Sequence, residues 1–351
     1  MTTGLRMFRR HRPAALLVVL VATAMVAGCT VPGQSSPSPS TGSPTATATA
    51  SATPTPTPDA LSVAGGAKPP TVFDGDCEGM IAPATVADIV GFPVTSQDTG
   101  MATVVANLGG LSCTWEGDGG IIRAAAIPSS ALGNTEFPSD QIPYYFEECD
   151  PGWVCGWMGE GQGLWTAVSY QLWTGMTRQA VDGWGAEMGA VITSGFASSN
   201  YPVWERDEAD WWPVLDCARV GDSLGAELGA DVTGETGGFV DPPSPEVVIA
   251  SKAARASHCY FPVIAAQLPL ELFTAAGEAW AVPSSAEDQA VDTGVAGIAA
   301  YRVEGYESTI SAGFSLTDGV NSVTAYIPTD GAVSAEEMLR AVAVVVADGW
   351  R

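Results

Sequence analysis

From residue 71 onward the apolar positions follow two periods. Near the C-terminus Met338, Leu339, Val342, Val345 and Val346 recur at helical steps, which puts them on one face of a helix. Ser334 and Glu337 stand where a capping box would satisfy its first free N–H groups, and Gly349 stands where it must stop. A second helical run, Val181, Trp184, Met188, Val191 and Ile192, ends at Gly195. Gly183, Gly185 and Gly189 interrupt it, each costing a helix up to about 1 kcal/mol relative to alanine. Elsewhere the pattern alternates as in strands: Ile121–Ile127, Leu164–Trp173, Ile298–Val303, Thr309–Leu316 and Val320–Ile327, with Asp318-Gly319 as a hairpin turn between the last two.

The order of features repeats. Asp76-Cys77 is followed by a short helical pattern from Pro83 to Gly91, then Val94-Thr95, Cys113-Thr114-Trp115 and a strand-like stretch ending Ala126-Ile127-Pro128. Asp216-Cys217 opens a second series: Ser223 to Gly229, Val232-Thr233, Cys259-Tyr260-Phe261 and a stretch ending Ala266-Gln267-Leu268-Pro269. Agreement in order and in both cysteines reads as an internal duplication. The expected fold class is α+β: two tandem disulfide-stapled modules, residues 71–200 and 201–351. Each is an antiparallel sheet packed with an N-terminal short helix and a C-terminal closing helix.

Upstream the pattern changes twice. Residues 1–28 combine Arg6, Arg9, Arg10 and Arg12 with an apolar run from Ala14 to Met25, the form of an export leader and short for a membrane-spanning helix. The run closes on Val26-Ala27-Gly28-Cys29, the form of a bacterial lipobox. On this reading residues 1–28 are a lipoprotein signal peptide. Cys29 becomes the mature N-terminus and carries a diacylglyceryl group on the outer face of the plasma membrane. Residues 29–70 are dominated by Pro, Ser, Thr, Ala and Gly, with Val31, Leu61 and Val63 as the larger apolar residues. Such a stretch is expected to be a disordered tether, reaching at most on the order of 100 Å at about 3.1 Å per residue.

With Cys29 set aside for lipid, six cysteines remain: Cys77, Cys113, Cys149, Cys155, Cys217 and Cys259. An even number outside the membrane implies disulfides. Duplicated positions should pair alike, which selects Cys77 with Cys113 and Cys217 with Cys259. Cys149 and Cys155 are left to each other across the turn Asp150-Pro151-Gly152. Each long-range bridge is expected to contribute about 3–4 kcal/mol through lost unfolded-chain entropy. No C-x-x-C pair is present, so thiol redox or metal chemistry is not expected.

Charge narrows the partners. The chain has 14 Lys+Arg and 39 Asp+Glu, and without the four leader arginines 10 cations face 39 acids, a formal charge of −29. Phosphate backbones repel such a chain and its cations are scattered, so no nucleic acid is expected as partner. No cofactor or metal is expected either. His258 is the only histidine after the leader, so a multi-histidine zinc site is impossible, and no P-loop lysine follows the Gly117-Asp118-Gly119-Gly120 stretch. His258 falls on a predicted core strand and no G-x-S-x-G turn precedes it, which argues against a Ser-His-Asp triad. Paired carboxylates of the glycosidase type are present by residue type at Glu147-Glu148, Glu205, Asp207, Glu208 and Asp210. Among 39 acids such pairs arise by chance. No catalytic residue is therefore expected, and an envelope polysaccharide-acting hydrolase is the alternative.

Nine of eleven tryptophans fall between residues 115 and 212. Trp165 and Trp173 share a strand face by parity and Trp184 lies on the closing helix, so these three read as packing. Trp153 and Trp157 flank Cys155 in a Gly-rich loop, while Trp204, Trp211 and Trp212 lie at the junction between modules. These five are the candidate ligand contacts.

The lipobox, the Pro/Ser/Thr tether and the two Cys…Gly…Cys-x-aromatic series together resemble a family of actinobacterial secreted envelope lipoproteins of largely unknown function. Cys77 to Trp115 carries the pattern with Cys-x-Trp intact, whereas the second series has Cys259-Tyr260-Phe261 and a shorter expected first helix. The resemblance implies an extracytoplasmic location and a module type, and it supplies no catalytic residue. The expected function is a lipid-anchored, non-catalytic ligand-binding or accessory module, with an envelope ligand or a membrane protein as partner.

Overall fold

Leu61 and Val63, the two larger apolar residues in the last part of the expected tether, form a strand, β1 (Leu61–Val63), in the computed structural model. The structure describes residues 60–97, 103–137, 149, 154–237, 244–262, 269–282, 289–303 and 311–350. The leader, Cys29 and the tether up to residue 59 lie outside them. Residues 60–70, the last part of the expected tether, are among the described residues and include β1.

Asp76 caps α1 (Cys77–Met80) by accepting from the N–H groups of Glu78 and Gly79, both at 3.0 Å. Pro83 then starts α2 (Pro83–Val90), and Gly91, at φ 82°, ends it. The first sheet follows, with β2 (Thr95–Gln97), α3 (Thr103–Asn107), β3 (Leu111–Gly117), β4 (Gly120–Pro128), α4 (Ser129–Leu132), β5 (Val154–Gly161), β6 (Leu164–Leu172) and α5 (Arg178–Ala197). Its five strands are antiparallel in the order β2-β3-β4-β6-β5. Register sets its two faces. Trp115, Ile122, Tyr170 and Cys155 are neighbours across four strands and are fully buried with residues of α2 and α5. The other face carries Ile127, Trp165 and Ala167.

The second half contains β7 (Trp204–Arg206), α6 (Cys217–Leu228), β8 (Glu235–Thr236), α7 (Pro245–Ala253), β9 (Ser257–Phe261) and β10 (Leu270–Ala275). It continues with β11 (Ala290–Val291), β12 (Ala299–Arg302), β13 (Ser311–Thr317), β14 (Ser322–Pro328) and α8 (Ala335–Ala347). Its seven-stranded sheet runs β8-β9-β10-β14-β13-β12-β11. Asp216 caps α6 as Asp76 caps α1. With no proline to interrupt it, α6 runs unbroken for 12 residues, whereas the first series breaks at Pro83; the expected shorter helix in the second series is corrected. The capping box of Ser334 and Glu337 is present at α8, and Gly349 turns left-handed just beyond its end. Asp318-Gly319 joins β13 to β14, with Gly319 at φ 94°. The disulfides are Cys77–Cys113, Cys149–Cys155 and Cys217–Cys259, the expected pairs. One of them clasps α1 to β3 and another clasps α6 to β9.

The halves belong to one compact unit, residues Thr57–Arg351, and two packings of whole elements contribute to it. First, β1 pairs parallel with β7, with Leu61 opposite Trp204 and Val63 opposite Arg206. Second, α7 packs on α3, α4 and β6, so that Ile249, Ala250 and Ala254 complete a core with Val105, Leu108, Ile127, Leu132, Trp165 and Ala167. The expected boundary at 200/201 falls between α5 and β7, while α7, from beyond it, covers the first sheet.

Most of the expected packing tryptophans pack. Trp165 is buried and Trp184 lies 5.7 Å from Tyr170, ring centre to ring centre. Trp173 falls one residue past β6 and is half exposed. The glycines of α5 have a packing reason. A Cβ added at Gly185 would lie 2.3 Å from Cγ of Trp157, and one at Gly189 would lie 2.4 Å from the far edge of the same ring. One helical turn apart, they open a slot that seats the Trp157 indole against the helix. On an open helix Gly185→Ala would stabilise by up to about 1 kcal/mol. Here it should destabilise by about 1–3 kcal/mol through overpacking, measured by urea unfolding, and a stabilised variant would disprove the slot.

Candidate functional site

The junction residues 201–216 hold three of the five candidate tryptophans. Trp204 and Trp211 lie close to the first described segment of the chain, residues 60–70. Trp204 Nε1 donates to the Tyr201 hydroxyl at 2.6 Å, and that hydroxyl donates to the carbonyl of Pro70 at 2.8 Å. Burial pushes the Tyr201 phenol up to about 12. Trp211 is buried and its Nε1 donates to the Gly65 carbonyl at 3.1 Å. The guanidinium carbons of Arg206 and Arg255 lie 5.4 and 5.5 Å from the Trp211 ring centre. Gly277, at φ 73°, lets the main chain run against that ring, since a Cβ there would lie 2.3 Å from it. Trp212 turns into the second core, edge-on to Trp350 at 5.4 Å.

Two buried amides organise the main-chain ends around these rings. Asn107, at the last position of α3, is fully buried. Its Nδ2 donates to the Ala276 carbonyl at 2.8 Å, and its Oδ1 accepts from Arg206 Nη1 at 2.8 Å and from Trp280 Nε1 at 3.1 Å. Arg206 also donates to the carbonyls of Asn107, at 2.7 Å, and Ala67. Asn321, equally buried, accepts from the backbone N–H groups of Trp212 and Gly277, both at 3.2 Å, and donates to the Asp210 carbonyl at 2.9 Å. Trp280 donates its backbone N–H to Gly66, and Lys68 lies 5.0 Å from its ring centre.

One acid lies inside this joint. Glu278 is 6% exposed, and burial pushes its carboxyl up to about 7 against the opposing pull of a Thr103 hydrogen bond and the Arg206 charge. Among the described residues neither Glu278 Oε2 nor Arg206 Nε has a hydrogen-bond partner. Burial lowers Arg206 to about 10, with Glu208 and Glu278 holding it up. A second buried acid, Glu246 on α7, is likewise raised by burial, which outweighs a Ser244 hydrogen bond.

The remaining expected residues are placed as follows. Trp157 sits in the glycine slot of α5, and Trp153, Glu147 and Glu148 lie outside the described residues. Glu205, Asp207, Glu208 and Asp210 are exposed. Glu208 pairs with Arg255 at 2.7 Å, and Asp207 accepts from the N–H of Ala209 at 3.0 Å, closing a turn. His258 lies on β9 beside Cys259, stacked on Phe273 at 4.0 Å with Nε2 3.3 Å from Glu271. Among the described residues no group of three His, Cys, Asp or Glu side chains could hold a metal ion.

Sequence reasoning located the tryptophans and missed Asn107, Arg206, Glu278, Trp280 and Asn321, whose partners are distant in sequence. One local signal existed: Arg206 is the single cation in the acidic stretch from Glu205 to Asp210. Chemically the arrangement is a joint, in which side-chain donors grip main-chain carbonyls of segments that would otherwise separate. Comparison with protein-family models, with curated proteins and with solved structures found no match. Asn107→Ala would leave the Ala276 carbonyl, Arg206 and Trp280 Nε1 short of a partner and should cost about 2–3 kcal/mol in chemical denaturation; a loss below 0.5 kcal/mol, the ordinary range for a surface site, would show that the amide is not a hub.

Proposed function

We propose that the protein is a lipid-anchored cell-envelope lipoprotein whose folded part is a non-catalytic binding or accessory module. The reading rests on one combination: three disulfides in the fold, which point to an oxidising extracytoplasmic environment, downstream of an Arg-led apolar leader that ends in Val26-Ala27-Gly28-Cys29. Among the described residues no helix is long and apolar enough to cross a membrane. Attachment is assigned to a lipid on Cys29 on the strength of the lipobox form.

The module reading draws support from topology. Strands β2-β3-β4-β6-β5 and β8-β9-β10-β14-β13 follow the same order, each series begins with an Asp-capped helix bearing a disulfide cysteine, and a long helix follows the last strand of each. Residues 71–200 and 201–351 are thus read as two copies of one fold, the second extended by β12 and β11. Of the two binding roles, docking to a membrane-protein partner suits the junction better than capture of a small envelope ligand. Trp211 and Trp212 are buried, and Trp204 is hydrogen-bonded to its neighbour, so these rings hold the joint together.

Anchoring is tested by metabolic labelling. Wild-type protein should incorporate labelled fatty acid and Cys29→Ala should not; labelling that persists in the variant refutes the assignment.

A further inference from the structure

Residues 60–70 form a strap held at one edge of the joint. Three residue pairs link β1 to β7, and four carbonyls, those of Gly65, Gly66, Ala67 and Pro70, accept from Trp211, Trp280, Arg206 and Tyr201. Leu61 and Lys68 face solvent. Arg206 therefore reaches the strap with one nitrogen and α3 with the other. Glu278 interacts electrostatically with Arg206 of β7 and accepts a hydrogen bond from the Thr103 hydroxyl of α3. The other charged groups close by are Glu208, which acts on Arg206 and pairs with Arg255, and Lys68 on the strap itself.

We propose that this joint is a pH-responsive latch: protonated Glu278 keeps the strap closed, and ionisation of Glu278 raises the population in which residues 60–70 detach. Among the described residues one Glu278 oxygen is buried without a partner, which is costly for a carboxylate, and Arg206 Nε is without one too. The strap is bonded to Arg206 through Ala67 and to Trp280, two residues from Glu278, through Gly66, so its release frees both sides of this buried pair to hydrate. Arg206 stays charged throughout the range concerned, so Glu278 is the group that switches.

The sign follows from linkage. Closed, Glu278 titrates near 7; open to water it returns to its ordinary value of 4.5. The closed joint binds its proton more tightly, so its stability is full below the lower value and is lost as pH rises to the higher one. The opening constant should climb by up to about tenfold per pH unit across that window and level off above about pH 7. The latch is independent of lipid anchoring and would operate in an unlipidated chain.

Amide hydrogen exchange on peptides covering residues 60–70 of the full chain, corrected for intrinsic base catalysis, reads this directly. Protection of the strap should fall from pH 5 to 7 and then stay flat, and Glu278→Gln should remove the fall. Thr103→Val, which takes away a hydrogen bond that lowers the Glu278 pKa, should move the plateau to higher pH, and it provides a second reading should the Gln variant not fold. A wild-type profile that is flat, a Gln variant that keeps the wild-type profile, or a Val variant with no displacement of the plateau would overturn the latch.

Discussion

The grip of Asn107 and Arg206 on four separate backbone segments is what makes one protein of two sheets. Asn107 ends α3 in the first half and holds the carbonyl of Ala276 at the end of β10 in the second; Arg206 adds β7 and the strap. Each sheet has its own apolar core on one face and its own long-range disulfide, while the other face of the first sheet is covered by α7 from the second half. Their relative placement depends on polar contacts of fixed direction, reinforced by the apolar pad under α7. Buried amides suit this task because an unpaired one is expensive, which penalises every other docking of the halves.

The same constraint explains where the tryptophans lie. A joint assembled from loops leaves main-chain carbonyls and gaps of irregular shape. An indole fills such a gap and carries an N–H to meet a carbonyl or hydroxyl. Trp204, Trp211 and Trp280 each use that N–H on a junction partner, and cations on three different segments lie against their faces. The aromatic density that marks this region in the sequence is thus largely accounted for by assembly.

Legibility in the sequence tracked how local each determinant is. The capping box at Ser334, the turn at Asp318-Gly319 and the helix stop at Gly91 are written within a few residues, and all were readable. The disulfide pairs were readable because the series repeats. Helix α7 was not, since Glu246, Val248, Ile249, Ala250 and Ser251 are buried together and leave no polar stripe to mark a face. The glycines of α5 counted against a helix until Trp157, on strand β5, gave them a purpose. Leu61 and Val63 were visible as the larger apolar residues in their stretch, yet their strand needs β7 from far along the chain. Glu278 carries no local mark of its burial, which is set by Thr103 and Arg206 from either side.

The entry of the chain through β1 has a mechanical consequence. Any tension applied to residues before Ala60 reaches the protein at a short parallel ribbon and a row of gripped carbonyls, ahead of both disulfide-clasped cores. Residues 60–70 have no core of their own and are held by strand pairing and gripped carbonyls, so they are the segment whose local opening costs least. Lifting the strap would leave the Asn107–Ala276 contact, the pad under α7 and the Cys77–Cys113 and Cys217–Cys259 bridges in place.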